Sequence, residues 1–124
     1  MNRYLQSCKT QFWRKVFQAE TDYLLQALAG SRDILSVGCG PAVIEACLSE
    51  HGFNVTGVDI SEQALAVAPS CVRTMAGRAE SLEFEDACFD AVIFVASLQF
   101  VEDYNKAITQ AARVLKPGGK LLAM

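Results

Sequence analysis

At 124 residues, about half of them apolar and a fifth charged, the chain has the size of one domain, burying roughly two-thirds of its unfolded surface. A net charge of -3 and the lack of any Lys/Arg run exclude nucleic acid held by its phosphate backbone. Cys8, Cys39, Cys47, Cys71 and Cys88 form no C-x-x-C pair and stand beside a single histidine, so neither a disulfide framework nor a metal set is expected, and free thiols point to the cytoplasm.

The N-terminus Met1-Asn2-Arg3-Tyr4 opens no apolar signal core, and no window approaches transmembrane length, so no membrane insertion is expected. From Phe12 to Leu28 the apolar residues Trp13, Val16, Phe17, Ala19, Tyr23, Leu24, Ala27 and Leu28 recur at helical spacing, with Gly30 as the stop. The aromatics Phe12, Trp13, Phe17 and Tyr23 are expected to pack this helix on the domain; the competing reading makes part of them a lid over a ligand. Ile34 to Val37 reads as a buried strand that runs into a glycine corner, Gly38-Cys39-Gly40-Pro41-Ala42. There Gly38 and Gly40 let the backbone take positive φ and approach a ligand closely.

Val43, Ile44, Cys47 and Leu48 mark the buried stripe of a helix ending at His51-Gly52, where the lone histidine serves the helix terminus. Phe53 to Val58 is a strand closing at Asp59, and Ser61 caps a helix running to Ala68 before Pro69. Val72 to Ala76 is a weaker strand. Phe89 to Ala96, apolar apart from Asp90, fits a strand covered on both faces. Tyr104, Ala107, Ile108, Ala111, Val114 and Leu115 give a helix with the acids Glu102 and Asp103 at its start. Lys116-Pro117-Gly118-Gly119 suits a type II turn, and Lys120 to Met124 begins a last strand. Alternating strands and helices predict an α/β, Rossmann-like doubly wound parallel sheet of about five strands with helices on both faces. The last strand has an open edge, so either another chain covers it, giving a homo-oligomer, or the domain continues.

A dinucleotide fingerprint needs a third glycine where Val43 stands, so a pyrophosphate cradle, and with it a nicotinamide cofactor, is poorly supported. Asp59, at the end of the second strand, sits where an acid accepts ribose hydroxyls. A ribose-bearing ligand without a diphosphate follows, and S-adenosylmethionine has that chemistry.

Ile34 to Ala42, Gly52 to Ser61, Gly77 to Phe84, Phe89 to Ile93 and Ala112 to Leu122 together resemble class I S-adenosylmethionine-dependent methyltransferases, nearest the ubiquinone/menaquinone-biosynthesis branch. The resemblance implies that residues 31–124 bind S-adenosylmethionine, lacking the family's last two strands, and that residues 1–30 form a helical segment packing on or over the site. It implies that Gly38, Cys39 and Gly40 wrap the methionine part, that Asp59 holds the ribose, and that Ile60 packs against the adenine. The backbone at Ala79 would address the adenine edge, and Ser97 and Leu98 would flank the methyl group.

Ser36 stands where relatives carry an acid turned to the cofactor's ammonium group, and Arg78 stands where they often carry Asp. Together these losses cost about 2–4 kcal/mol of binding, with Glu80 available to replace one acceptor or Arg78 turned out to solvent. Ala42 replaces the third glycine of the motif, a milder change. Gln99 falls where relatives often place histidine, and Ser97-Leu98-Gln99-Phe100 replaces the Asp/Asn-Pro-Pro-aromatic motif that serves nucleic-acid and amide substrates. No catalytic residue is assigned; Arg3, Tyr4 and Trp13 either line an acceptor site or pack. The expected function is methyl transfer to a small molecule, the alternative a cofactor-binding module without turnover.

Overall fold

Five runs of the chain pair side by side into one parallel sheet. They are β1 (Asp33–Val37), β2 (Asn54–Asp59), β3 (Arg73–Ala76), β4 (Phe89–Phe94) and β5 (Leu115–Ala123), in the order β3-β2-β1-β4-β5. Among the described residues four helices connect or precede them: α1 (Gln11–Ala27), α2 (Val43–Glu50), α3 (Glu62–Ala66) and α4 (Tyr104–Val114), with one 3-10 turn at Leu98–Phe100. This computed structural model describes residues 11–95 and 97–124. The predicted sheet is present, and its registers are regular, with Ile34 beside Val55 and Ala91, and Leu35 beside Thr56 and Val92.

Alternation along the strands divides the core in two. Ile34, Val55, Ala91 and Ile93 face Leu24 and Leu28 of α1 and Ile44 and Leu48 of α2. Leu35, Val37, Val58, Val92 and Phe94 face the other way, onto Ala111 and Val114 of α4 and Leu82. Because β1 and β4 are wrapped on both sides, they are almost wholly apolar, which is the signature of a central parallel strand. Phe17 packs on the first core, whereas Phe12 and Tyr23 are more than half exposed. Gly30 is left-handed at φ 89°, as expected of a helix stop.

Three expectations are adjusted. The buried face of α2 is Ile44, Glu45 and Leu48, with Val43 and Cys47 only half-buried, so the helix is rotated toward its acid. Ser61 does cap α3, accepting from the Ala64 N–H at 3.2 Å, but the helix ends at Ala66 because none of its residues is buried to hold a longer one. β5 begins at Leu115, not Lys120: Leu115 pairs with Phe89 and Lys120 with Ala91, and the intervening Pro-Gly-Gly forms a bulge with Gly118 at φ 81°.

Two polar side chains hold the lower sheet and the loop above it. Asp90, the one charge in β4, accepts from the Arg32 and Asp33 N–H groups at 2.9 and 2.8 Å and lies 3.3 Å from Lys116. Those two backbone donors, with Lys116, hold its carboxyl below the usual aspartate range. Arg113 of α4 donates to the carbonyls of Phe84 and Leu82, each at 2.7 Å, and to Asp86 and Gln110. This fork staples the β3–β4 connection onto α4.

Candidate functional site

The strand order reverses between β1 and β4, since the chain runs outward from β1 through β2 to β3 and then returns to start β4. Loops leaving the carboxyl ends of neighbouring strands diverge at such a point and leave a crevice. A cavity of about 380 Å³ lies there, with walls from the ends of β1 and β2 (Val37, Gly38, Val58, Asp59, Ile60), the segment after β3 (Gly77 to Glu80) and the segment after β4 (Ser97, Phe100 to Glu102). Ile60 and Phe100 stand 73% and 79% exposed, forming an apolar rim.

The glycine corner is shaped by its neighbours. Gly38 is left-handed at φ 79°, and a Cβ built on it falls 2.4 Å from the Ser97 Cβ. Ser97 is fixed in that position by donating its hydroxyl to the Val37 carbonyl at 2.7 Å. Gly40, at φ 55°, has open space around its missing Cβ. Ala42 is left-handed too, at φ 59°, and is fully buried, so this third position does demand the conformation that glycine adopts freely. It is also the N-cap of α2, and no side chain caps it, leaving the first helical N–H groups uncapped by a side chain behind the corner.

Asp59 joins the two halves of the corner. One carboxylate oxygen accepts from the Gly40 N–H and the other from the Ser61 N–H, both at 2.8 Å. Each oxygen keeps lone-pair capacity for a further donor, and the side chain faces the cavity.

Ser36 lies behind the corner, buried, and donates its hydroxyl to Glu45 at 2.5 Å. Burial pushes the Glu45 carboxyl up to about 7, with the Asp59 charge acting in the same direction and the Ser36 hydroxyl and Glu45's own N–H pulling the other way. Cys39 is buried against Gly57, and burial, then Glu45 and Asp59, push its thiol up to about 12. It is therefore a neutral packing residue rather than a nucleophile.

On the far wall, Arg78 is half exposed, with Nε 3.8 Å from Glu80 and a terminal nitrogen 3.9 Å from Glu102. Glu80 accepts from the Glu102 and Asp103 N–H groups at 3.2 and 3.3 Å, so it is committed to holding the segment before α4. Burial alone would raise its carboxyl, but these backbone donors and Arg78 keep it below the usual value. Asp103 caps α4 through the Lys106 N–H, while Glu102 turns to Arg78. His51 places Nδ1 2.9 Å from the Cys47 carbonyl at the end of α2.

Of the residues expected from sequence, Gly38, Asp59, Ile60, Ala79, Glu80 and Ser97 share the cavity wall. Ser36, Cys39, Gly40 and Leu98 are not among the lining residues: Ser36 and Cys39 lie behind the corner, Gly40 turns its N–H to Asp59, and Leu98 packs on the second core. Arg3 and Tyr4, and the side chains of Trp13 and Gln99, lie outside the described residues. Sequence reasoning missed Phe100 and Val101 as wall residues, and it did not pick out the buried Glu45 behind the corner. Among the described residues, no three His, Cys, Asp or Glu gather as a metal set, and no helix is long and apolar enough to cross a membrane.

This crevice has a glycine corner at the end of one strand and an acid at the end of the next, and residues 35–123 match the family described as methyltransferase domain. The chain belongs to that family, the class I S-adenosylmethionine-dependent methyltransferases. It is 34% identical over 111 residues to the ubiquinone biosynthesis O-methyltransferase of Alkalilimnicola ehrlichii, covering 82% of this chain and 45% of that one. It is 32% identical over 136 aligned positions to the demethylmenaquinone methyltransferase of Bacillus cereus, covering all of this chain and 55% of that one. A crystal structure from Thermotoga maritima, named as an S-adenosylmethionine-dependent methyltransferase and possible histamine N-methyltransferase, superposes with a TM-score of 0.85 at 28% identity, covering 98% of this chain and 56% of that one. The chain thus spans about half the length of the curated relatives it matches.

Proposed function

We propose that this chain binds S-adenosylmethionine in the β1–β4 crevice and serves methyl transfer to a small-molecule acceptor. The observation that carries the reading is Asp59, which faces the cavity with spare acceptor capacity while its carboxylate holds the glycine corner. Gly38 would admit the ligand where Ser97 leaves no room for a side chain, and Ile60 and the Ala79 backbone would flank the base. When bound, the cofactor supplies a methyl group on a positively charged sulfur. The protein's part is to align donor and acceptor, which can supply on the order of 7–11 kcal/mol of the barrier. The apolar rim of Ile60 and Phe100 suits a flat, largely apolar acceptor, and the quinone-forming roles in the relatives' names make quinol precursors the first panel to try.

Calorimetry with S-adenosylhomocysteine tests the binding; no heat up to millimolar ligand rejects it, and tighter binding of NADH would revive the nicotinamide reading. A second reading, a binding module without turnover, is favoured by Arg78, which occupies the cavity wall in an ion pair where the resemblance calls for an acceptor. Radiolabelled methyl transfer to the acceptor panel separates the two, since binding without transfer selects the module.

On the same footing, residues 1–30 are an N-terminal helical segment packing on or over the site, residues 31–124 the cofactor domain, and the cytoplasm the compartment. In the 124-residue chain on its own, the outer edge of β5, with Leu121 and Met124 exposed, is the surface for self-association. A strictly monomeric mass by light scattering at high concentration counts against that contact.

A further inference from the structure

Glu45 is an acid in an unfavourable place. It is 3% exposed, and its carboxyl is met by the Ser36 hydroxyl and by its own backbone N–H. Among the described residues no Lys, Arg or His lies within ion-pair distance of it. The charge that acts on it, Asp59, opposes its ionisation. An apolar side chain of the same volume would fill this site at lower cost, so the acid calls for an explanation outside the free chain.

Its surroundings supply one. Glu45 is held by Ser36, two residues before Gly38, and interacts with Cys39 inside the corner and Asp59 across from it. The corner is therefore framed by residues that all bear on this one carboxyl. S-adenosylmethionine carries an ammonium group at the end opposite its adenine. Asp59 and the far wall account for the ribose and adenine, so the amino-acid end meets the corner. Asp59 already serves two backbone donors there.

We propose that Glu45, presented by α2 and oriented by Ser36, is the countercharge for the ammonium group of the bound cofactor, in place of an acid on β1. The proposal rests on the S-adenosylmethionine reading above. Ligand charge then compensates a carboxyl that the free protein keeps without a cation.

The test uses two probes in titration calorimetry on the full chain. S-adenosylhomocysteine carries the ammonium group, and 5′-methylthioadenosine keeps the adenosine and sulfur without it. Glu45→Gln preserves volume and the contact with Ser36. It is expected to weaken S-adenosylhomocysteine by about ten- to a hundredfold while leaving methylthioadenosine within twofold. The exchange variant Ser36→Asp/Glu45→Ser, which moves the acid back to β1, is expected to restore S-adenosylhomocysteine to within a few-fold, and it serves alone should Glu45→Gln not fold. Equal loss of both probes in Glu45→Gln, or unchanged affinity for both, overturns the assignment while leaving the cofactor reading intact. Failure of the wild-type chain to bind either probe overturns both.

Discussion

The buried Glu45 carboxyl should make the stability of this protein fall as pH rises from about 4.5 to about 7, opposite to the usual behaviour of acids. Its folded-state value is about 7 against an ordinary 4.5, because burial penalises the charged form. Between those values the folded chain keeps a proton that the unfolded chain has released, so unfolding is favoured progressively as pH rises. Each unit is worth about 1.4 kcal/mol, which makes the full effect about 3 kcal/mol, present below pH 4.5 and spent by about pH 7. Glu45→Gln removes the titration and keeps the shape. The two proteins should therefore show crossing profiles, with wild type level or ahead near pH 4.5 and the variant ahead at pH 8. Urea unfolding every half unit from pH 4.5 to 8 reads this as the difference between two curves. At ordinary slopes about 3 kcal/mol moves the midpoint by about 1 M or more. Glu20, which burial also raises, is common to both proteins and cancels. Parallel profiles would refute the reasoning and place water or an unassigned cation beside Glu45.

Gly38→Ala should cost about 2–5 kcal/mol, from left-handed strain and the collision with Ser97, and Gly40→Ala about 1–2 kcal/mol, from strain alone. In a Ser97→Gly background the Gly38→Ala cost should drop toward the Gly40→Ala value, as a double-mutant cycle in urea would show. Arg113→Lys keeps the charge but loses the fork that grips the Leu82 and Phe84 carbonyls, and should cost about 1.5–3 kcal/mol, read from the denaturation midpoint. Asp90 has a depressed carboxyl, so its contribution is whole above the ordinary 3.8 and is lost as pH falls below it. Asp90→Asn should lower stability at pH 7 and flatten the acid limb of the unfolding profile.

Much of this architecture was legible because two periodicities and a few punctuation residues suffice for an α/β sheet. The strands from Ile34 and Phe89 read as central because almost nothing polar interrupts them, and Gly30 and Ser61 mark real termini. The β5 boundary was not legible: Leu115 pairs with Phe89 across a bulge, and pairing between distant residues leaves no local pattern. The same holds for α2. Apolar spacing alone cannot choose between a face centred on Val43 and Cys47 and one including Glu45; the left-handed Ala42 sets how the helix leaves the corner. One signal was available: a serine inside an otherwise apolar central strand needs a partner, and an acid stands in the first turn of the next helix. For the site, glycine and acid spacing found the β1 and β2 walls. Phe100 and Val101 join the wall only through the geometry of the segment after β4.

The two hydrogen bonds that Asp59 accepts from the Gly40 and Ser61 N–H groups have an evolutionary consequence. A descendant that abandoned its cofactor would still need this aspartate to keep the corner and the start of α3 in shape, so it would persist as an architectural fossil. The Ser36–Glu45 pair is under no such obligation and would decay quickly to a greasy pair. With Glu45 in the role proposed above, loss of cofactor binding in a descendant would register first at the acid behind the corner, while Asp59 would be held by its two backbone donors as well.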